Sequence, residues 1–208
     1  MPRRTKEEAE KTRQHLLETA LRLFADRGIS RTSLKDVAAE AGLTHGALYW
    51  HFKNRTDLLE ALYEECRFPI DDLYIDHLQS SRQNALEALE NFLTQWCLLI
   101  CEDERAASIW RVFHNGVESE PELSALAERI HDEHLEWLEY LARFIKHGRK
   151  QNRIADRSAK KDPLPAVSLA VVKGVISTID ILGRDNIKLK QHIAQAVSVF
   201  LYGLGERS

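Results

Sequence analysis

The stretch from Ser33 to Lys53 reads SLKDVAAEAGLTHGALYWHFK and predicts two short helices joined by a tight turn. Ser33 can cap the first helix, because Asp36 follows at the spacing of a capping box. Gly42 suits the left-handed residue that ends a helix, and Thr44 can cap the second helix. Helix, glycine turn and helix form a helix-turn-helix arrangement, whose second helix can lie in a DNA major groove.

The apolar residues of this stretch repeat at helical spacing. Leu34, Val37 and Ala38 share one face of the first helix, and Leu48 and Phe52 face inward from the second. The remaining side chains of the second helix are then free to face outward. An ordinary helical hairpin with exposed aromatic residues has the same spacing, so the pattern alone leaves both interpretations open.

The outward-facing residues supply the groups that a DNA-binding surface needs. Hydroxyl and backbone N–H groups at helix starts can donate to phosphate oxygens, and Gly46 lets the backbone approach the bases closely. His45 is the best candidate for a base-edge contact, whereas Tyr49 and Lys53 are candidates for phosphate contacts. The predicted DNA-binding residues are Arg31, Thr32, Ser33, Thr44, His45, Gly46, Tyr49, Trp50, His51 and Lys53.

The charge distribution agrees with contact to DNA through one end of the chain. The 208 residues carry a net charge of −3, which by itself argues against a nucleic-acid partner. Residues 1–55, however, contain 11 Lys and Arg against 7 Asp and Glu, a net charge of +4, and the rest carries −7. A basic N-terminal part on an acidic body suits a protein that contacts phosphates with one end only.

Composition excludes several classes of protein. Apolar content of 44% and charged content of 29% are those of a globular protein. The sequence has no run of 18 or more apolar residues, so no membrane span is predicted. The charged N-terminus lacks the apolar core of a signal peptide, so a cytoplasmic protein with no membrane partner is expected. No nucleophile elbow, phosphate loop or paired-carboxylate motif is present, so we expect neither an enzyme nor a cofactor.

Two small clusters leave a sensor of metal or redox state as an alternative. Cys97 and Cys101 are four residues apart on one helix face, and His131 and His134 are three apart. Structural zinc takes four ligands, and thiols on an apolar helix usually fill a core. No metal site is therefore predicted, while a redox role for the two cysteines stays open.

The whole chain is predicted to be all-α, with about nine helices. Residues 1–54 are expected to form a three-helix DNA-binding domain, and residues 55–208 a helical domain for ligand binding and dimerisation. Pro69 predicts a kink or break in the fourth helix, because proline removes a backbone hydrogen bond. Ser119-Glu120-Pro121 is expected to start a long helix that runs to about Gln151.

Aromatic residues concentrate on three helices of the second domain and suggest a ligand pocket. Aromatic walls with few polar groups suit a flat, apolar or cationic ligand, although the same residues could merely fill a core. The candidate ligand-binding residues are Phe92, Leu93, Trp96, Trp110, Phe113, His114, His134, Trp137, Leu141, Val172 and Ile176.

The last two predicted helices are apolar on more than one face. A helix of this kind must be buried on two sides, one against its own domain and one against a partner. Two such helices from each of two subunits can form a four-helix bundle, so a homodimer is expected. Its two-fold symmetry matches a palindromic DNA operator.

The sequences GISRTSLKDVA (residues 28–38), AGL (41–43) and GALYWHFKN (46–54) resemble the DNA-binding domain of the TetR family of repressors. This resemblance implies contacts to operator DNA from the matching positions, a ligand-binding body and a dimer. Many relatives have Arg or Lys where this chain has His45, which leaves the base preference open, since a neutral His lacks a bidentate fork.

The closest similarity within the family is to the subgroup that represses multidrug efflux pumps. It depends on RRTKEE (residues 3–8), on THGALYWHF (44–52) and on His114. The resemblance implies release from DNA by a small aromatic or hydrophobic molecule. A regulator of the same architecture that senses a metabolite, such as an acyl compound or a lactone, is the alternative.

Overall fold

The computed structural model describes residues 6–66, 68–115, 117, 121–155 and 162–203. Within these ranges the regular structure is helical and no residue lies in a β-strand, which confirms the all-α prediction. The α-helices of the described residues are α1 (Lys6–Arg27), α2 (Leu34–Glu40), α3 (His45–His51), α4 (Arg55–Glu65), α5 (Ile70–Ser80), α6 (Ala85–Cys101), α7 (Glu104–Asn115), α8 (Ser124–Lys150), α9 (Leu164–Leu182) and α10 (Leu189–Tyr202).

Local chemistry fixes α2 and α3 as the sequence predicts. The Ser33 hydroxyl accepts from the Asp36 backbone N–H, and the Asp36 carboxylate accepts from the Ser33 backbone N–H at 2.9 Å, which completes the capping box. These hydrogen bonds from Ser33 hold the pKa of Asp36 below its usual value. Gly42 has φ +67°, so glycine provides the left-handed turn, and Thr44 caps α3.

The chain divides into two compact units at positions 67/68, 106/107 and 130/131. The first unit takes the residues before position 68 and residues 107–130. The second takes residues 68–106 and those from position 131 onward. The first unit therefore combines the helix-turn-helix region with a segment distant in sequence. The predicted boundary between the DNA-binding domain and the ligand-binding domain, after residue 54, is a functional one, and it stays a prediction.

The kink or break predicted at Pro69 is a break: Pro69 stands before Ile70 as the N-terminal cap of α5, and the break contributes a tenth α-helix to the described residues. The start of α8 differs from the expectation. A 3₁₀ turn, Pro121–Leu123, precedes α8, whereas one continuous helix was expected. Ser119 and Glu120, where that helix was expected to start, lie outside the described residues.

The core of the second unit is organised around α6. This helix packs against α5, α9 and α10, and its residues Leu89, Leu93 and Ile100 are fully buried. Such burial of large apolar side chains is the main stabilising contribution to a helical domain. The predicted ligand residues of this unit therefore lie on, or pack beside, its most buried helix.

Helix α9 is long and apolar enough to pass a compositional test for a membrane span, although Lys173 and Asp180 interrupt it. One such helix is weak evidence, because a core helix of a soluble protein passes the same test. Of the most apolar stretch of 18 residues in this helix, 33% is buried inside the protein. Ser168, Val172 and Ile176 are among its buried residues, so α9 contributes to the core of its unit.

Candidate DNA-binding surface and aromatic cluster

Helix α3 presents aromatic rings and donors to solvent. Leu48 is fully buried, whereas Tyr49 is 48% exposed and Trp50 is 72% exposed. The His45 ring lies edge-on to Tyr49, with centroids 4.6 Å apart, and Trp50 meets His51 in the same manner. Exposure of large rings on a capped helix is costly in water, and it is typical of a surface that binds a partner.

Four of the predicted polar DNA-binding residues are exposed around α3. Ser33, Thr44 and Lys53 are exposed, and the Thr44 hydroxyl accepts from the backbone N–H of Ala47 at 3.2 Å. Arg31 is exposed as well, with its Nε donating to the carbonyl of Arg27 at 2.7 Å. The other guanidinium nitrogens of an arginine remain available as donors.

Gly46 and His51 complete the surface, and Thr32 is placed differently. No atom of the described part of the chain lies within 4 Å of a Cβ added at Gly46, so its backbone faces open space there. Thr32 is only 1% exposed, and its hydroxyl donates to the carbonyl of Gly28 at 2.9 Å. Contrary to the sequence-based expectation, this hydroxyl is unavailable to a phosphate oxygen, because it is buried and donates its hydrogen bond to a backbone carbonyl of the preceding turn.

Helix α4 is joined to the segment 107–130 at both of its ends. Arg55 donates to the carbonyl of Ile29 at 2.9 Å and pairs with Glu122. At the other end, Arg129 pairs with Glu64 and lies over the ring of Tyr63, 4.9 Å from its centroid. The contacts of Arg55 with Glu122 and of Arg129 with Glu64 join residues 67 and 65 positions apart, and no local pattern in the sequence indicates them.

The first unit contains three of the predicted ligand residues. Trp110 and Phe113 are each 1% exposed, and His114 is 6% exposed. The ring centroids of Trp110 and His114 are 4.4 Å apart, and Phe113 lies edge-on to Tyr63 at 5.3 Å. Through Tyr63, this group of rings touches α4, which follows the helix-turn-helix.

The second unit brings together a larger group of rings, here called the aromatic cluster. Its members are Tyr74, Phe92, Trp96, Trp137, Tyr140 and Phe144. Phe92 lies 5.4 Å from Trp96 and 5.1 Å from Phe144, and Trp96 meets Trp137 edge-on at 4.9 Å. Tyr74 stacks on Tyr140 with centroids 3.9 Å apart. His134 lies 5.0 Å from Trp137 at the margin of this cluster.

The predicted ligand set thus includes two groups of rings, one in each compact unit, and a single pocket that they share stays a prediction. Leu93, Leu141, Val172 and Ile176 are buried in the second unit, where Val172 and Ile176 lie on α9. Tyr74, Tyr140 and Phe144 were not in the predicted set. Their only sequence signal was the spacing of Tyr140 and Phe144, four residues apart on one helix face after Trp137.

The thiols of α6 are buried and unreactive. Burial raises the pKa of Cys97 far above its usual value and that of Cys101 to about 11, so both are protonated at neutral pH. Among the described residues, no group of three or more His, Cys, Asp or Glu side chains could hold a metal ion. This chemistry gives little support to a metal- or redox-sensing function.

Known proteins resemble this chain in both sequence and fold. The HTH-type transcriptional regulator AcrR of Shigella flexneri is 33% identical over 147 residues, which are 71% of this chain and 68% of that protein. The crystal structure of NalD, the secondary repressor of the MexAB-OprM multidrug efflux pump in Pseudomonas aeruginosa, matches with a TM-score of 0.76 at 23% identity, covering 98% of this chain and 100% of NalD.

A structure of SmeT, the repressor of the Stenotrophomonas maltophilia multidrug efflux pump SmeDEF, in complex with triclosan matches with a TM-score of 0.61 at 21% identity. It covers 95% of this chain and 93% of SmeT. Residues 16–62 match the protein family that is described as "Bacterial regulatory proteins, tetR family". The match spans α1 to α4, where the capped helix-turn-helix lies. The chain therefore belongs to the tetR family and is a helix-turn-helix transcriptional repressor.

Proposed function

We propose that this protein is a dimeric, ligand-responsive repressor that binds a palindromic operator and controls a multidrug efflux pump. The observation that carries the DNA-binding part is the outer face of α3, where Trp50 is 72% exposed beside His45, Tyr49 and Lys53. In this proposal His45 reads base edges, and Tyr49 and Lys53 contact phosphates. DNA binding implies a cytoplasmic protein without a membrane partner.

The uncharged exposed faces of α9 and α10 support the dimer. On α9, Val167, Ala170, Gly174, Ser177 and Ile181 are exposed at helical spacing. On α10, the exposed residues at this spacing are Gln195, Ser198, Val199 and Tyr202. Neutral faces with small residues on neighbouring helices permit close approach of a second copy, and the two-fold axis of that dimer suits a palindromic operator.

The aromatic cluster supports a flat aromatic or hydrophobic ligand. Stacked and edge-on rings accept planar molecules, and the SmeT structure contains triclosan, a small aromatic compound. NalD and SmeT are described as repressors of multidrug efflux pumps, and this is the basis for assigning efflux control here. Binding of such a ligand shifts the population of a conformation with lower DNA affinity.

The contacts of α4 supply a physical route from segment 107–130 to the recognition helix. Trp110, Phe113 and His114 lie on the same segment as Glu122 and Arg129, which hold the two ends of α4. In our proposal a ligand repositions this segment, α4 follows, and the α3 helices of the dimer lose their spacing. The coupling free energy is shared between ligand and DNA and is therefore reciprocal.

The test begins with DNA duplexes selected by the purified protein from a random pool. We expect an enriched palindrome bound by two protomers, and its release by part of a panel of aromatic dyes and drugs. Release by acyl compounds or lactones alone would favour the metabolite-sensing alternative. Failure of selection to enrich any sequence would contradict the proposed function.

A variant separates ligand binding from core packing. Trp110→Ala is expected to reduce the affinity for an active dye while leaving DNA affinity largely intact. Equal losses of folding stability and ligand response would instead indicate that Trp110 only fills the core, where truncation of a large side chain costs about 3–5 kcal/mol. Thermal unfolding of the variant without ligand distinguishes these outcomes.

A further inference from the structure

Two hydrogen-bond donors of the aromatic cluster are buried without an acceptor. Trp96 is fully buried and Tyr74 is 5% exposed. Among the described residues, neither the indole Nε1 of Trp96 nor the hydroxyl of Tyr74 has a hydrogen-bond partner. A buried donor without an acceptor lowers folding stability, and native proteins keep few of them without a functional reason.

The Phe and Trp rings beside these donors offer no acceptor, and the phenol oxygen of Tyr140, which stacks on Tyr74, makes no hydrogen bond to the Tyr74 hydroxyl. The ring of Trp96 is next to Phe92 and Trp137, and the ring of Tyr74 lies 6.4 Å from Phe92 and 5.9 Å from Phe144. Phenyl rings have no hydrogen-bonding atom, and an indole can only donate. Phe92 is a neighbour of both, so the two donors belong to one region of the cluster.

Among the described residues of the second unit, the hydroxyls of Tyr140 and Ser168 have hydrogen-bond partners, which contrasts with these two donors. The hydroxyl of Tyr140, stacked on Tyr74, donates to Asp71 at 2.8 Å. The buried Ser168 hydroxyl donates to a backbone carbonyl at 2.8 Å. Arg149 also has an unpartnered Nε, but its guanidinium pairs with Asp162 at 2.5 Å. Trp96 and Tyr74 have no such alternative bond.

We propose that Trp96 and Tyr74 are the polar anchors of a ligand site in the aromatic cluster, selective for aromatic molecules with a hydrogen-bond acceptor such as a carbonyl oxygen. This inference rests on the proposed function, because it assigns a chemistry to the ligand that releases DNA. The unsatisfied donors gain an acceptor only in the bound state. They therefore add affinity for acceptor-bearing ligands and discriminate against plain aromatic hydrocarbons.

A matched pair of compounds tests this selectivity. 9-Fluorenone and fluorene have the same planar three-ring skeleton, and fluorenone adds one carbonyl oxygen that accepts hydrogen bonds and cannot donate them. We expect calorimetric titration of the wild-type protein to give about tenfold tighter binding of fluorenone than of fluorene. Equal or weaker binding of fluorenone, including no binding of either compound, overturns the inference.

Variants of the donors identify the residues responsible. Tyr74→Phe removes only the unpartnered hydroxyl, so the melting temperature of the free protein is expected to stay level or rise while fluorenone affinity falls about fivefold. Trp96→Phe is expected to lose the preference for fluorenone over fluorene. Trp137→Phe is the matched comparison: it removes the same volume from a neighbouring ring of the cluster, so it is expected to lower the affinity for both compounds alike and to leave their ratio unchanged.

Different measurements would contradict the acceptor selectivity and the proposed function. If neither donor variant changes the fluorenone preference, or if Trp137→Phe changes it as much as Trp96→Phe does, the inference is overturned. Release of the selected DNA by other members of the aromatic panel would in that case still support the proposed function. The proposed function fails when no aromatic compound of the panel releases that DNA, which is measured by fluorescence anisotropy.

Discussion

Arg55, the first residue of α4, pairs with Glu122, which stands 67 positions later in the chain. Arg55 also donates to the carbonyl of Ile29, just before the helix-turn-helix begins. One side chain thus joins the DNA-binding region to the segment that leads into α8. An exposed ion pair contributes little to stability, so its importance here is geometric.

Breaking this pair is expected to weaken the coupling between ligand and DNA. Glu122→Gln removes the charge and keeps the size of the side chain, so folding and ligand affinity should be nearly unchanged. In the wild type, a saturating active dye weakens DNA binding by a certain factor, here called the coupling factor. In Glu122→Gln this factor is expected to be smaller by about fivefold or more, which is within the usual range of coupling energies. Anisotropy titrations with and without dye measure this factor.

Glu128→Gln is the matched control for that variant. Glu128 is exposed on the same segment and makes no ion pair among the described residues. The Glu128→Gln variant loses the same charge as Glu122→Gln, and the factor by which the dye weakens its DNA binding should equal that of the wild type. If both variants lower the coupling equally, general charge rather than the Arg55–Glu122 pair is responsible, and the proposed route through α4 is wrong.

Lys53 and His45 are expected to contribute to DNA binding in different ways. A dimer that neutralises about eight phosphates should show log K falling against log salt with a slope of about −7. Lys53→Ala should flatten this slope by about one unit per neutralised phosphate, with base preference kept. His45→Ala should leave the slope alone and relax the preference at one base pair of each half-site.

A lysine outside the predicted surface provides the control for these measurements. Lys150 is exposed at the end of α8 in the second unit, so Lys150→Ala changes net charge by the same amount. Its salt slope should match that of the wild type. An unchanged slope in Lys53→Ala would assign phosphate contact to other residues.

The capping box at the start of α2 predicts a pH dependence of stability. Hydrogen bonds from Ser33 lower the pKa of Asp36 in the folded state from its usual 3.8. A lowered carboxylate pKa stabilises the fold above the unfolded value, and this contribution is lost as pH falls through the folded value. Asp36→Asn cannot ionise, so its stability should decline less than that of the wild type below about pH 4.

Denaturant titrations at pH 6 and below pH 4 measure this difference. Asp26→Asn is the control, because Asp26 is exposed near the end of α1 and its carboxylate accepts no hydrogen bond from any other described residue. Ser33→Ala removes the cap itself and should cost about 1 kcal/mol at pH 6. Parallel pH profiles for Asp36→Asn and the wild type would show that the capping carboxylate does not contribute.

Much of the DNA-binding region could be predicted because its determinants are local. Asp36 lies three residues after its capping partner, and Gly42 marks a turn that requires positive φ, so the sequence pattern is sufficient. Thr32 was misplaced because a hydroxyl near a helix start can either cap or turn inward to a carbonyl, and only packing decides. The Arg55–Glu122 pair depends on the tertiary fold and leaves no periodic signal.

The ligand region was less predictable for a related reason. Aromatic content identifies helices with large rings, but it does not say which rings meet. That Trp96 and Trp110 line one pocket stays a prediction; the ring of Trp96 meets Phe92 and Trp137, and the ring of Trp110 meets His114. Tyr74 joins the cluster from α5, and its contact with Tyr140 again depends on how helices pack. Side-chain partners across helices need the backbone geometry, which periodicity alone does not supply.

The last prediction concerns the dimer, which we propose is formed by α9 and α10. Val199 is 69% exposed on α10, where an apolar side chain in water gains nothing from the monomer fold. Val199→Glu would place a charge in the predicted interface, and burying an unpaired charge is strongly unfavourable. We expect monomers in sedimentation velocity at micromolar concentration, loss of operator binding, and unchanged helicity. Ile75→Glu is the matched control: Ile75 is 58% exposed on α5 of the same unit, and this variant should remain dimeric. A native protein that sediments as a stable monomer, or dimer loss in both variants, would contradict an interface built from α9 and α10.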